Sequence, residues 1–419
     1  MKYQSVKGMD DLYSPEVENW QALEARSRIF FEAHGFREIR TPVLETTELF
    51  TRSIGEASEI VHKEMYTFED RGGRNLALRP EATAAAVRAV LEHDLIREDE
   101  PLYVYYIGAM FRAERPQAGR RRQFHQIGVE TLNTRSPAND AELVIMAKNY
   151  FEWLGLKRFK VKVNHLGSAD DQRRLTRTLT QYFKPLVQNL CKDCQYRFDR
   201  NVLRIFDCKV TSCQPLIEKA PKQELSGSAR SDFDTILSIL GEAQVPLEVE
   251  HRLVRGLDYY SGCVFEVTAE GLGAQDAVLA GGRYDSLIQD LGGPNRGAAG
   301  FSIGVERLLT ALKAAGTCLA DLSWGDTVYV AALKHGEESC RFYRSIALGL
   351  VQAGKRAHFS FSQTSLSNHL KRASKMKVGY TIIVGEDEWA AREVSLKNMA
   401  TGVQNRLKPE ALVEGFKDV

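Results

Sequence analysis

The sequence predicts a mixed α+β chain of more than one domain, and three observations carry that expectation. Two apolar, strand-like runs, YVYYIGAMF and FHQIGVETL, flank a basic loop and form a hairpin. A charged, helix-patterned stretch from about Gly167 to Gln244 interrupts strand-rich sequence on both sides. From Thr327 onward strands alternate with helices, as in βαβ units. At 419 residues and 43% hydrophobic content, the chain is too long for one ordinary core.

In chain order, Ser14-Pro15 reads as an N-cap followed by proline at the first helical position. Val17, Trp20, Leu23, Ser27 and Phe30 follow at helical spacing, and Gly35 is the stop. FREIRTPVLE is extended, with Pro42 pointing to an edge or a boundary. MYTF and NLAL are strands joined by a turn at Arg71-Gly72-Gly73-Arg74, and ATAAAVRAVLEH is a helix. Beyond the 102–132 hairpin and the helical insertion, LEVEHRLVRGLDYYSGCVFEVTAEG resumes strand-like sequence. AGGRYDSLI, GAAGFSIG and the helix VERLLTALKAAG come next, and Gly316–Gly325 reads as a linker. The closing α/β segment has strands TVYVAAL, AHFSFS, YTIIVG and a final EVSLKNM, with two helices between them. The expected domains are thus 1–320, with the insertion at about 167–244, and 326–419.

A formal net charge of +1 gives no global field for a polyanion, so any nucleic-acid contact must come from local patches. No apolar run approaches membrane-spanning length, and the N-terminus lacks an apolar signal core. An odd count of seven cysteines without a signal fits reduced thiols and a cytoplasmic protein without membrane partners.

The densest chemistry lies in the hairpin loop. Arg112, Arg115, Arg120, Arg121 and Arg122 fall within eleven residues. Arginine stays charged and forms forked pairs with phosphate oxygens, so this tip points to a phosphate-bearing ligand. A merely solvated basic loop is the plainer reading. Against it stand Glu114 inside the cluster and polar Gln126 and Glu130 on a strand that otherwise reads as buried. Leu78-Arg79-Pro80-Glu81-Ala82-Thr83 puts a carboxylate and a hydroxyl where a strand yields to a helix; spacing alone favours simple capping there. Arg255-Gly256-Leu257-Asp258-Tyr259-Tyr260 combines a cation, a carboxylate and two phenols between apolar segments. Tyr284 and Arg307 lie in two glycine-rich runs that match neither a Walker A loop nor a Rossmann fingerprint. Cys191-x2-Cys194, Cys208 and Cys213 have spacing compatible with tetrahedral zinc. Four reduced thiols in a helical insertion are the favoured reading, because a short CxxC pair without glycine knuckles is only suggestive, and no metal ligand is assigned.

In combination these segments closely resemble the histidyl-tRNA synthetases, a class II aminoacyl-tRNA synthetase family. FREIRTPVLE, FRAER with its RRRQFHQIGVE return strand, and GFSIGVERLL resemble the three class II motifs. LVRGLDYYSGCVFEV and AGGRYDSL are similar to two histidine-specific motifs, and the match spans nearly the whole chain. The resemblance implies a six-stranded antiparallel sheet with flanking helices, a helical insertion, and a C-terminal α/β domain of the anticodon-binding kind. It implies a homodimer with Pro42 at its interface. Its substrates would be L-histidine, ATP with Mg²⁺, and tRNA-His. Glu81, Thr83 and Gln126 would hold the amino group, while Glu130 and Tyr260 would meet the two imidazole nitrogens. Tyr259 would shape that pocket and Tyr284 would line it. Arg112 would hold the ATP α-phosphate, Arg307 the γ-phosphate, and Arg255 both the reacting carboxylate and the α-phosphate. Glu114 and Arg122 would contact ATP; Arg115, Arg120 and Arg121 would contact the tRNA acceptor end. Lys371, Arg372, Lys375 and Lys377 would meet the anticodon stem. A second reading shares the core: a non-charging regulatory paralogue of the type associated with ATP phosphoribosyltransferase, which lacks the C-terminal domain and has degraded motifs.

Overall fold

The hairpin around the basic loop organises the first of two units, Met1–Ala320, in the computed structural model of the chain. The structure describes residues 3–55, 58, 60–97, 100–116, 119–272, 276–320, 327–333, 337–360, 364–412 and 416. Residues 321–325 of the expected linker lie outside them. The strands of this unit are β1 (Arg37–Glu38), β2 (Leu44–Thr46), β3 (Tyr66–Glu69), β4 (Asn75–Leu78), β5 (Leu102–Phe111) and β6 (Gln123–Leu132). They continue with β7 (Phe159–His165), β8 (Leu247–Val249), β9 (Ser261–Ala269), β10 (Ala277–Arg283) and β11 (Ala298–Gly304).

The main sheet runs β1-β5-β6-β11-β10-β9-β7-β8. Its six middle strands are antiparallel throughout, as expected. Two short parallel edge strands make it eight: β1 beside β5 and β8 beside β7. At two and three residues they are too short to show the alternation by which a strand is read. Extension of β1 ends before Pro42, which has no N–H for a ladder. β2, β4 and β3 form a separate small sheet.

Alternation along β6 sorts its side chains. Ile127 and Val129 enter the core under one face, with Phe31, Tyr150 and Phe301 from neighbouring elements. Gln126 and Glu130 face the other way. Helices Glu16–Ala33 and Pro137–Trp153 cover the core face: the Phe31 and Tyr150 rings stack at 5.1 Å. The first helix begins after Pro15, one residue later than expected, and Ser14 makes no cap.

Between β7 and β8 lie helices Ala169–Phe183, Lys192–Arg200, Gln214–Glu218 and Gly227–Glu242. The first opens with a capping box, Ser168 against Asp171. Leu179, Phe183, Ile205 and Phe206 form a small core of their own. The last helix instead sends Phe233, Ile236 and Leu240 into the core of the main sheet. The helical stretch therefore divides between two hydrophobic cores, a split that one continuous helical pattern does not reveal.

The second unit, Asp321–Val419, carries β12 (Thr327–Ala332), β13 (Arg356–Ser360), β14 (Tyr380–Val384), β15 (Val394–Asn398) and β16 (Gln404–Leu407). β13, β12 and β14 are parallel, with helices Glu337–Gln352 and Leu366–Lys375 on the connections. β15 and β16 add an antiparallel edge. The strand expected to be last is followed by one more. Gln404–Leu407 is largely exposed and polar, so it lacks the apolar pattern of a strand.

Candidate active site

On the face of the main sheet away from the Phe31–Tyr150 core, one cavity of about 240 Å³ gathers most of the chemistry-bearing residues. Glu81, Thr83, Arg112, Glu114, Arg120, Arg121, Gln126, Glu130, Arg255, Tyr259, Tyr260 and Arg307 all line it. A second, more polar cavity of about 460 Å³ shares Arg112, Glu114, Arg120, Arg255 and Arg307. The guanidinium groups therefore stand where the two cavities meet.

Glu130 centres the enclosed end. Its strand β6 is paired on both sides, with Glu130 opposite Val104 and Gly300. A Cβ on Gly300 would overlap the Glu130 carboxylate, so only glycine fits there. Thr83 donates to Glu130 Oε1 at 2.7 Å, and the Tyr284 hydroxyl donates to Oε2. Burial pushes the Glu130 carboxyl up to about 8, against the pull of these two hydroxyls. Tyr284 does not line the cavity; it stands behind Glu130 and positions it. Tyr259 and Tyr260 form the adjoining wall, their rings 4.8 Å apart, and burial raises the Tyr260 phenol to about 12.

Glu81 does what its spacing favoured. Its carboxylate accepts from the Thr83 and Ala84 backbone N–H groups at 2.6 and 3.0 Å, capping helix Thr83–Glu92. It also faces the cavity, and burial raises its pKa. Gln126 donates to Ser302 Oγ at 3.3 Å, leaving its buried Oε1 without a hydrogen-bond partner. A buried acceptor left unpaired costs about 1–3 kcal/mol. Beside two carboxylates, it is suited to receive a ligand's ammonium group.

The arginines come from three stretches of chain. Arg112, just past β5, donates to Pro80 O at 3.0 Å and lies over the Phe124 ring at 5.0 Å. Arg255 is paired with Glu266 of β9 at 2.9 Å. Arg307, opening helix Val305–Ala314, donates to Gly119 O and Ala277 O, each at 2.9 Å. Burial and the positive charges of Arg120 and Arg112 lower the Arg307 pKa. Like charges held this close favour an anion between them.

The loop arginines divide by what they meet. Arg120 lines both cavities and pairs with Glu114 at 3.1 Å; Arg121 lines the smaller cavity and pairs with Asp10 at 3.0 Å. Arg122 lines neither: it turns back to the Glu114 carbonyl at 3.3 Å, and its backbone N–H is held by Gly8 O. Arg115 is exposed and outside both cavities. Which arginine faces inward is set by these contacts in an irregular loop, and no periodicity announces it. Sequence reasoning also missed Phe124, Ser302 and Glu266. Glu266 left a signal, a lone carboxylate within the apolar run Cys263–Val267.

A model of the family described as histidyl-tRNA synthetase matches residues 8–308, and one described as anticodon binding domain matches residues 327–418. A histidine–tRNA ligase of Fervidobacterium nodosum is 40% identical over 419 residues, covering 100% of this chain and 99% of the relative. One from Anoxybacillus flavithermus is 40% identical over 424 residues, covering 100% of both. Among solved structures, apo S. aureus histidyl-tRNA synthetase has a TM-score of 0.79 at 29% identity, covering 99% of this chain and 100% of that one.

Proposed function

The chain belongs to the histidyl-tRNA synthetase family, and we infer that it is a ligase that activates L-histidine with ATP and transfers it to the 3′ end of tRNA-His. The observation that carries the reading is one cavity with guanidinium groups from three stretches at its mouth and Glu130 at its closed end. A regulatory paralogue without a C-terminal domain fits less well, since residues 327–418 match the anticodon-binding model.

In this reading the imidazole lies against Glu130 and Tyr260, with Tyr259 as the wall. Glu130 accepts from one ring N–H, and Tyr260 meets the other nitrogen. Tyr284 and Thr83 hold the Glu130 carboxylate in place. The ammonium group sits among Glu81, Thr83 and the unpaired Gln126 Oε1. A pocket built to hydrogen-bond both ring nitrogens leaves buried groups unpaired with any other amino acid, which discriminates by roughly 10⁴-fold without editing.

The amino acid's carboxylate then attacks the α-phosphorus of ATP, forming the histidyl-adenylate and releasing pyrophosphate. Two anions must meet while charge spreads over the phosphate oxygens, so fixed cations matter more than a proton shuttle. Arg255 reaches the carboxylate and the α-phosphate, Arg112 the α-phosphate, and Arg307 the γ-phosphate. Arg120 joins this set because it lines both cavities. Glu266 keeps Arg255 oriented. Glu114, paired with Arg120, and Glu306, which accepts from the His125 N–H, line the cavity as carboxylates of the kind Mg²⁺ takes beside substrate phosphates, and they would hold it there. Bound there, Mg²⁺ would neutralise phosphate charge. The terminal ribose hydroxyl of the tRNA next attacks the mixed anhydride, with no protein nucleophile required.

Arg115, which is exposed, would meet the tRNA acceptor end, and the exposed Lys371, Arg372, Lys375 and Lys377 would meet the anticodon stem. Two copies would pair through the segment around Pro42, where Val43 and Leu44 are exposed apolar residues. Charging of a tRNA-His transcript tests the whole reading. Histidylation that depends on both ATP and histidine is expected. Failure to charge, with histidine and ATP still bound, would favour a regulatory role.

A further inference from the structure

We propose that Cys191, Cys194, Cys208 and Cys213 form a structural zinc site that pins the small core of the helical insertion. Their four sulfurs lie within 4.8 Å of one another. The Cys191 and Cys208 sulfurs are 3.8 Å apart. Zn–S bonds of about 2.3 Å at tetrahedral angles place sulfurs about 3.8 Å apart, so this pair already spans one edge of the coordination tetrahedron. A disulfide would need about 2.05 Å, and all four cysteines are free thiols.

The chain is arranged around these sulfurs. Cys191 precedes helix Lys192–Arg200, Cys208 ends the short helix Val202–Asp207, and Cys213 precedes helix Gln214–Glu218. Two backbone N–H groups already donate to sulfur: Cys191 to Cys213 at 3.2 Å and Val210 to Cys208 at 3.4 Å. Such donors stabilise metal-bound thiolates. Cys194, Cys208 and Cys213 are buried and Cys191 is half-buried. Four sulfur ligands with no open position mark a structural site, not a catalytic one. Packing offers a weaker explanation. A thiol fills space like any small apolar group and gains little from meeting three others, whereas a core this small commonly needs a metal or a cross-link.

The clamped segment also reaches the cavity. Between Cys194 and Cys208, Arg204 donates to Gly256 O at 2.7 Å and pairs with Asp207 at 2.9 Å. Asn201 donates to Asp258 at 3.0 Å. Both grip the loop that carries Arg255, so zinc positions that arginine from behind. This last link rests on the function proposed for Arg255; the zinc site itself does not.

Metal analysis of the untreated full-length protein is the test, with one zinc per chain expected. Titration with a mercurial should release that zinc in step with four thiols. Replacement by cobalt should give the visible bands of a tetrahedral thiolate site. Cys194→Ser should lose the ion, whereas Cys318→Ser, at an exposed thiol elsewhere in the chain, should retain it. In a folded Cys194→Ser protein, ATP–pyrophosphate exchange should lose kcat while KM for histidine holds; unchanged kcat would overturn the link to Arg255 alone. Substoichiometric zinc in the wild type, disulfides among these cysteines, or iron in place of zinc would overturn the site, whatever the reaction proves to be.

Discussion

Glu130 in the cavity and Asp171 at the base of the insertion are both buried carboxylates, yet burial wins at one and hydrogen bonding at the other. Asp171 accepts from Ser168 N at 2.9 Å, Ser226 N at 3.2 Å, Ser226 Oγ at 2.9 Å and Arg174 at 2.5 Å. These bonds outweigh desolvation and hold it well below the usual carboxylate range. Glu130 has two hydroxyl donors and is pushed up to about 8. Gln126 Oε1 nearby has no hydrogen-bond partner. A structural carboxylate is satisfied by its own chain; the cavity's polar groups are left for something else to satisfy. Perturbed and under-satisfied groups that converge on a cleft mark a working site.

Replacements on the two sides should divide along that line. The largest effect is expected for Arg255→Ala. ATP–pyrophosphate exchange should fall by roughly 10²–10³-fold or more, because a cation aimed at the developing charge is removed, while circular dichroism stays native. Near-normal exchange would remove Arg255 from the chemistry.

Glu130→Gln comes next. KM for histidine should rise by about 10–100-fold, with KM for ATP changing far less, since only one end of the cavity loses an acceptor. The same variant carries a pH signature. Because the folded pKa of Glu130 is raised from the ordinary 4.5 to about 8, the stability it contributes is fully present below 4.5. That contribution is lost as pH rises through about 8. In the unliganded wild type the melting temperature should therefore decline over this window, and Glu130→Gln should flatten the decline. An unchanged pH profile would show that Glu130 is not held in its protonated form.

Gly300→Ala should cost about 1–3 kcal/mol through overlap with the Glu130 carboxylate, and should weaken histidine binding with it. Asp171→Asn is expected to do least to catalysis. Loss of the charged capping network should lower stability by about 1–3 kcal/mol at neutral pH and leave exchange kinetics near normal. Because the Asp171 pKa is depressed, its contribution is present above the ordinary 3.8 and disappears as pH falls below that value. Acid denaturation of the wild type should therefore approach that of Asp171→Asn at low pH. A kinetic defect as large as that of Glu130→Gln would erase the contrast between the two regions.

Much of this was legible beforehand, for a physical reason. Short apolar runs rich in β-branched and aromatic residues mark buried strands, so β5, β6, β9 and β12 could be read from their residues. Polar Gln126 and Glu130 stood out against that pattern. β16 could not be read, because an exposed edge strand of Gln404, Asn405 and Arg406 has no apolar face to betray it. Side-chain direction in the 112–122 loop was invisible as well. Arg120 and Arg122 differ only in what they meet, Glu114 and the cavity for one, the Glu114 carbonyl for the other. The resemblance made Tyr284 a pocket-lining residue, yet β10 and the turn after it place the ring behind Glu130. The cysteine spacing was compatible with a metal, and the fold adds the convergence that spacing alone lacks.

The most direct measurement is ATP–pyrophosphate exchange by the purified chain, run separately with each of the twenty amino acids. Histidine alone should support exchange, because the imidazole is the side chain that can satisfy Glu130 and Tyr260 together. Exchange driven equally well by another amino acid, or none with histidine, would contradict the assignment of this cavity.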